Sequence, residues 1–253
     1  MDVTTLVKKH IDNCKEREPI FVKDIVVTDE NKNARNIAFH KLERNNIIKP
    51  YKKGIYYKPQ VTMFGELGID TNKLIEKQYI KDANENIKGY ITGPVIWNEW
   101  KISTQVPNRK WITTNSVNRN VELQDIRVKL IKPKTKIDND NYKILQILDV
   151  IDNRDDIQDI NWNNYIDVLV NKINDLKIKE LITAIELAET YNKFVNNFTG
   201  ALIEARIKKA NEDNKLLYKK IRELKFRANT GRRYKVNRNV QFKTLEEWGF
   251  YQN

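Results

Sequence analysis

The chain is poor in the residues that staple, coordinate or span. A single cysteine, Cys14, among 253 residues excludes an internal disulfide, and with only His10 and His40 beside it the usual cysteine–histidine zinc sites are excluded too. No apolar run approaches the roughly 18 residues that a membrane-spanning helix needs. The N-terminus, Met1-Asp2-Val3-Thr4-Thr5, lacks the basic-then-apolar order of a signal peptide. Gly65-Glu66-Leu67-Gly68 has neither the lysine nor the preceding strand of a phosphate-binding loop. These absences lead us to expect a soluble, cytoplasmic chain in a reducing compartment, without membrane, metal or cofactor.

Charge is abundant. There are 46 Lys and Arg against 34 Asp and Glu, a net +12. Lysine, asparagine and isoleucine, with 33, 31 and 31 copies, rise together when a genome is AT-rich, so the total is a weak pointer to partners. Distribution says more. Residues 1–60 and 61–137 each carry 13 basic and 8 acidic side chains, whereas 138–200 carry 6 and 12, and 201–253 carry 14 and 6. A uniform bias would not leave an acidic third quarter.

The periodicity divides the chain into three parts. In the first, 1–60, Val3, Leu6, Val7, His10, Ile11 and Cys14 form one helical stripe, closed by Glu18-Pro19. A short segment from Phe21 to Val26 and a polar turn at Thr28–Asn31 follow. A second periodic stretch runs from about Asn33 to Asn45, with Ala34, Ala38, Phe39 and Leu42 on its apolar side. Asn46 stands where a helix closes in the left-handed conformation. Two β-prone runs around Lys52-Lys53-Gly54 read as a hairpin. The order helix, short helix, helix, hairpin is that of a winged helix-turn-helix, whose third helix enters the major groove of DNA while the hairpin lies on the backbone.

On that reading the face opposite the apolar stripe, Asn33, Asn36, Ile37, His40 and Arg44, flanked by Arg35 and Lys41, would read or position DNA. Asparagine can bond adenine bidentately, arginine can bond guanine, and basic groups neutralise phosphates. Lys52, Lys53 and Lys58, with Tyr51, Tyr56 and Tyr57, give the hairpin a basic, aromatic character suited to the sugar–phosphate edge. The alternative is a solvated polar helix face beside an ordinary hairpin.

The second part, 61–137, is mixed α/β: Gly93-Pro94 opens an aromatic helical stretch, and Lys110–Asn115 and Ile126–Ile131 read as strands. The third, 138–253, is mainly helical, with stripes at Trp162, Tyr165, Ile166, Leu169 and Ile173, at Tyr191, Phe194, Val195, Phe198 and Leu202, and at Leu216, Leu217, Ile221 and Leu224. The fold class expected is α+β.

Candidate chemistry is thin. Cys14 and His10 share an apolar stripe, which favours packing over catalysis. Glu99-Trp100-Lys101 has the Glu-x-Lys form of some nuclease metal sites, but two residues apart on a helix the charges face different ways. Asp152-Asn153-Arg154-Asp155-Asp156 reads as a turn. No catalytic residue is nominated and no enzyme is expected.

Gly54-Ile55-Tyr56-Tyr57-Lys58-Pro59, and then Gly89-Tyr90-Ile91-Thr92-Gly93 through Ser103-Thr104-Gln105-Val106-Pro107 to Thr113-Thr114-Asn115, resemble the AbiEi family of type IV antitoxins. The likeness covers about residues 35–131, with Thr199-Gly200-Ala201-Leu202 and the stretch Asn229 to Val236 similar in style. Asn46 and Lys101 depart from it, since the family commonly has glycine near both positions. The resemblance implies a bacterial autorepressor that binds inverted repeats in its own promoter, double-stranded DNA, through the winged helix. It also implies a C-terminal portion that opposes a toxin with a nucleotidyltransferase fold, without necessarily contacting it. The competing readings are a stand-alone regulator without a toxin, and a metal-dependent nuclease using Glu99 and Lys101. The acidic segment 138–200 is expected to complement the chain's own basic C-terminus.

Overall fold

A computed structural model describes residues 2–116, 121–123, 126–158, 160–210, 214–228, 233–236 and 242–252. The chain is mixed α/β and divides into two compact units, Met1–Glu85 and Asn86–Asn253. This division falls neither at 60 nor at 137, where composition had suggested breaks. Residues 61–85 fold with the first unit, and the sheet of the middle region packs on the helices that follow it.

In the first unit, helix α1 (Val3–Asn13) buries Val7 and Ile11, while Leu6 sits at the edge of the stripe and stays partly exposed. The half-buried Cys14 ends the helix, its thiol donating to the His10 carbonyl at 3.3 Å. Burial pushes that thiol above its ordinary range, which keeps it protonated and unreactive. Strand β1 (Pro19–Phe21) follows. The expected short helix from Phe21 to Val26 is only a 3-10 turn at Val22–Asp24, and a second such turn at Asp29–Asn31 leads into helix α2 (Lys32–Arg44). Strands β2 (Lys49–Lys52) and β3 (Ile55–Tyr57) form the hairpin, and β1 pairs antiparallel with β3, giving the order β1-β3-β2. Val7, Ile11, Ile20, Ile25, Ala38, Phe39, Ile48 and Tyr56 make one core. A second hairpin, β4 (Gln60–Thr62) and β5 (Gly65–Leu67), precedes helix α3 (Thr71–Ile75), whose first turn is capped by the Asp70 carboxylate.

In the second unit, strands β6 (Gly89–Thr92), β7 (Lys110–Thr114), β8 (Val121–Leu123) and β9 (Ile126–Ile131) make a sheet of order β6-β7-β9-β8, with β7 and β9 parallel. Helix α4 (Pro94–Glu99) begins with proline at its first position, as its sequence suggests. Helices α5 (Tyr142–Asp152), α6 (Trp162–Asn174), α7 (Ile178–Ala188), α8 (Lys193–Ala210) and α9 (Lys215–Ala228) bury most of the stripes anticipated above. Trp162 is only half-buried, however, Leu216 is exposed, and Tyr191, though buried, lies in the turn between α7 and α8. Strands β10 (Tyr234–Val236) and β11 (Phe250–Gln252) pair parallel. Residues 229–232, part of the expected C-terminal likeness, are outside the described set. Among the described residues no helix is long and apolar enough to cross a membrane.

Two glycines of the quoted strings owe their place to tryptophan. A Cβ on Gly93, whose φ is +67°, would come within 2.5 Å of the Trp111 ring, and one on Gly200 within 2.3 Å of Trp248. Both positions require a bare backbone. The basic α9 and the acidic segment do meet: Lys220 bonds Glu186 at 2.8 Å, and Arg227 pairs with Glu189.

Asn46 and Lys101 share one geometry: at φ 56° and φ 58°, both are left-handed. After α2 the Ile47 N–H bonds the Leu42 carbonyl at 3.0 Å and the Asn46 N–H bonds Glu43 at 2.9 Å. After α4 the Ile102 N–H bonds Trp97 at 2.7 Å and the Lys101 N–H bonds Asn98 at 2.9 Å. Each pair is the Schellman closure of a helix. A lysine there meets the Cβ clash that glycine avoids, at about 1–2 kcal/mol before glycine's own entropy is subtracted. Lys101→Gly is therefore expected to stabilise the protein by roughly 0.5–1 kcal/mol in chemical denaturation, and Asn46→Gly by less.

Asp149 on α5 is buried and accepts three hydroxyl hydrogen bonds, from Tyr191 at 2.7 Å, Tyr90 at 2.9 Å and Thr113 at 3.0 Å. Burial holds its carboxyl above the usual range, although the three donors oppose that shift. The folded chain thus binds this proton more tightly than the unfolded chain. The group's contribution to stability is full below the unfolded carboxylate range and declines as pH rises through the folded value. Relative to Asp149→Asn, the native protein should lose stability from acid toward neutral pH. Asp149→Leu, which strands three hydroxyls, should cost several times the roughly 1 kcal/mol of Tyr90→Phe.

Candidate nucleic-acid interface

Helix α2 is oriented by what it buries. Ala38 and Phe39 point into the core, and the Phe39 ring packs on Tyr56 of β3 with centroids 5.1 Å apart. With 3.6 residues per turn, this leaves Asn33, Asn36, Ile37, His40, Lys41 and Arg44 exposed. His40 faces Glu43 one turn on, at 3.3 Å. The hairpin turn is placed by Gly54, left-handed at φ 76°, whose carbonyl accepts the Val22 N–H at 3.0 Å. That bond ties the tip of the hairpin to the chain just after β1.

A groove of about 510 Å³ opens between helix and hairpin. Asn36 and His40 line it from α2, Lys52, Lys53 and Tyr56 from the hairpin, and Phe39 forms part of its floor. Five of the ten expected contact residues therefore converge on one feature. Burial pushes the Tyr56 phenol above its ordinary range, so it keeps its proton and its capacity to donate. Asn33, Lys41 and Arg44 share the exposed side of α2 without lining the groove.

Two of the expected contacts have other positions. The Arg35 guanidinium donates to the Ile25 carbonyl at 2.9 Å, and its Nε is buried; the side chain braces α2 against the segment before it. Tyr57 is buried and absent from the groove, because neighbouring residues of a strand face opposite sides and Tyr56 takes the groove side. Lys58, which the sequence groups with the hairpin's basic residues, donates to the Asp12 and Cys14 carbonyls at 3.0 and 2.8 Å. There it neutralises the negative end of α1. The pattern also underrates Pro50 and Val22, which supply apolar walls to the groove.

The nuclease candidate is less assembled. Glu99 ends α4 and Lys101 occupies the left-handed turn, both exposed. Among the described residues no three His, Cys, Asp or Glu side chains gather as a metal-ligating group.

The geometry defines a mixed α/β chain whose first unit carries a groove with a largely apolar lining, edged by Asn36 and His40 on one side and by Lys52 and Lys53 on the other. The chain belongs to a family of unknown function, DUF6088, whose model matches residues 6–183. No curated protein matches. Among solved structures it is similar to the RV2827C protein from Mycobacterium tuberculosis, with 10% identity, 98% of this chain and 90% of that chain covered, and a TM-score of 0.45.

Proposed function

We propose that this protein is a DNA-binding autorepressor whose first unit is a winged helix-turn-helix, and that it acts as the antitoxin of a type IV toxin–antitoxin pair. The observation that carries the DNA reading is the shared groove: base-reading side chains from α2 and phosphate-neutralising side chains from the hairpin face one space. The order α1, β1, turn, α2, β2, β3, with β1 on the far side of β3, also supports a winged helix, the second helix being shortened to a 3-10 turn. In this reading α2 lies in the major groove, where Asn36 and His40 face base edges, Asn33 and Arg44 extend the contact, and Lys41 meets a phosphate. Lys52 and Lys53 hold the flanking backbone. The antitoxin role rests on the sequence resemblance alone, and no residue is assigned to it.

Two experiments test the halves separately. Asn36→Ala should change sequence preference among operator variants, whereas Lys52→Ala should weaken binding to all duplexes alike and lower the slope of log affinity against log salt by about one. Equal losses on specific and random DNA for both variants would remove the assignment. For the second half, a nucleotidyltransferase-like gene abutting this one should be toxic alone and harmless when this protein is co-expressed. Toxicity without relief would leave a regulator and no antitoxin.

A further inference from the structure

We infer that Ile37 is a specificity-determining residue that reads thymine through its 5-methyl group; the inference rests on the DNA-binding reading and deepens it. The chain has 31 isoleucines. Among the described residues only Ile37, 55% exposed, and Ile47, 40% exposed, stand out as exposed isoleucines. The abundance of isoleucine therefore does not explain Ile37, since its fellows are at least partly covered. Ile37 adds nothing to the core of the first unit, which α2 reaches through Ala38 and Phe39. Nor does the helix gain, because a β-branched residue at a solvated position is a poorer helix former than alanine. Asn33, Asn36 and His40 on the same face are poor helix formers as well. This face carries side chains that cost the helix stability and bury nothing.

The surroundings decide what would cover the isoleucine. Its neighbours on the helix surface are Asn33 and Ala34 one turn before, His40 and Lys41 one turn after, and Asn36 beside it. The four polar ones are exposed, and the one apolar neighbour, Ala34, is small and half-buried. A protein-docking patch would surround such a residue with further apolar area. In the major groove the one apolar feature is the thymine methyl, and asparagine's bidentate partner is adenine, the base paired with thymine. Asparagine, isoleucine and asparagine on one face thus form a coherent reader of consecutive A·T pairs, flanked by cations for the backbone.

The test uses the full-length protein. A pool of randomised duplexes is selected for binding, and each thymine of the enriched duplex is then replaced in turn by deoxyuracil, which removes only the methyl group. For the native protein, uracil at one thymine, or at its symmetry mate, should weaken binding about fourfold, the value of one buried methyl group. Ile37→Ala, an exposed change toward a better helix former, should bind thymine and uracil duplexes equally, with the salt dependence unchanged. If the native protein selects a sequence but is indifferent to uracil at every position, the role of Ile37 is overturned and DNA binding stands. An Ile37→Ala protein that still discriminates thymine from uracil would likewise assign the reading elsewhere. If no duplex is bound above background, the DNA-binding reading falls and takes this inference with it.

Discussion

The candidate interface depends on one packing contact, the Phe39 ring against Tyr56. An α-helix has few ways to rotate about its own axis once two adjacent residues are buried. With Ala38 and Phe39 fixed inward, Asn36, Ile37 and His40 have no position but outward, and the hairpin that bears Tyr56 is set at their side. Burial of a phenylalanine contributes about 2–3 kcal/mol, so this contact stabilises the unit as well as aiming it. The bond from Val22 to Gly54 and the Arg35 brace to Ile25 then remove the remaining freedom of the hairpin tip and of the start of α2. A polar face that must meet a rigid duplex is thereby held by groups that never touch it.

The second unit is organised by a different constraint, a buried carboxylate. Asp149 gathers a tyrosine from β6, a threonine from β7 and a tyrosine from the turn after α7, so one acceptor joins sheet and helices. Such a group is costly to desolvate and becomes tolerable only when its oxygens are satisfied, which makes the arrangement specific to this packing. Near the C-terminal end of the unit, Glu204 receives the Trp248 indole N–H at 2.6 Å and Lys225 at 2.9 Å, while Gly200 leaves room for the indole ring. Polar contacts thus fix the register of elements whose apolar stripes alone would accept several.

Much of the first unit was legible because its signals are local. The 3.6-residue stripe of α1, the extent of α2 within one residue, the left-handed Asn46 and the Lys-Lys-Gly hairpin all follow from nearest neighbours in sequence. The pairing of β1 with β3 was not legible, since Pro19-Ile20-Phe21 is too short to show alternation and its partner is more than thirty residues away. The division after Glu85 leaves no compositional trace, because the segment around it is as polar as its surroundings. Asp149 is one acid among twelve in its segment, and only three distant hydroxyls distinguish it. For the candidate site the residue types were readable and the directions only partly so. Arg35 borders the apolar stripe, where a long side chain can turn either way, and only the open Ile25 carbonyl decides it. Tyr56 and Tyr57 are a different case, since strand alternation already forbids both from serving one surface.

The net charge of +12 is divided by the structure into unequal kinds. Lys58 neutralises a helix end, Lys220 and Arg227 face the glutamates of α7, and Lys225 and Lys208 share Glu204 and Glu247. These cations are engaged within the fold and add little attraction at a distance, because each sits beside a compensating group. Lys52 and Lys53 are placed differently, exposed at the rim of a groove whose other side carries Asn36 and His40, with the Lys52 ammonium 5.5 Å from the Tyr51 ring centroid. Attraction to a polyanion needs only unbalanced charge, whereas recognition needs that charge to be adjacent to groups that can tell one base from another. The first property is spread over the sequence and shared with any lysine-rich chain. The second occurs where α2 meets the hairpin, and it arises from packing that the charge itself does not determine.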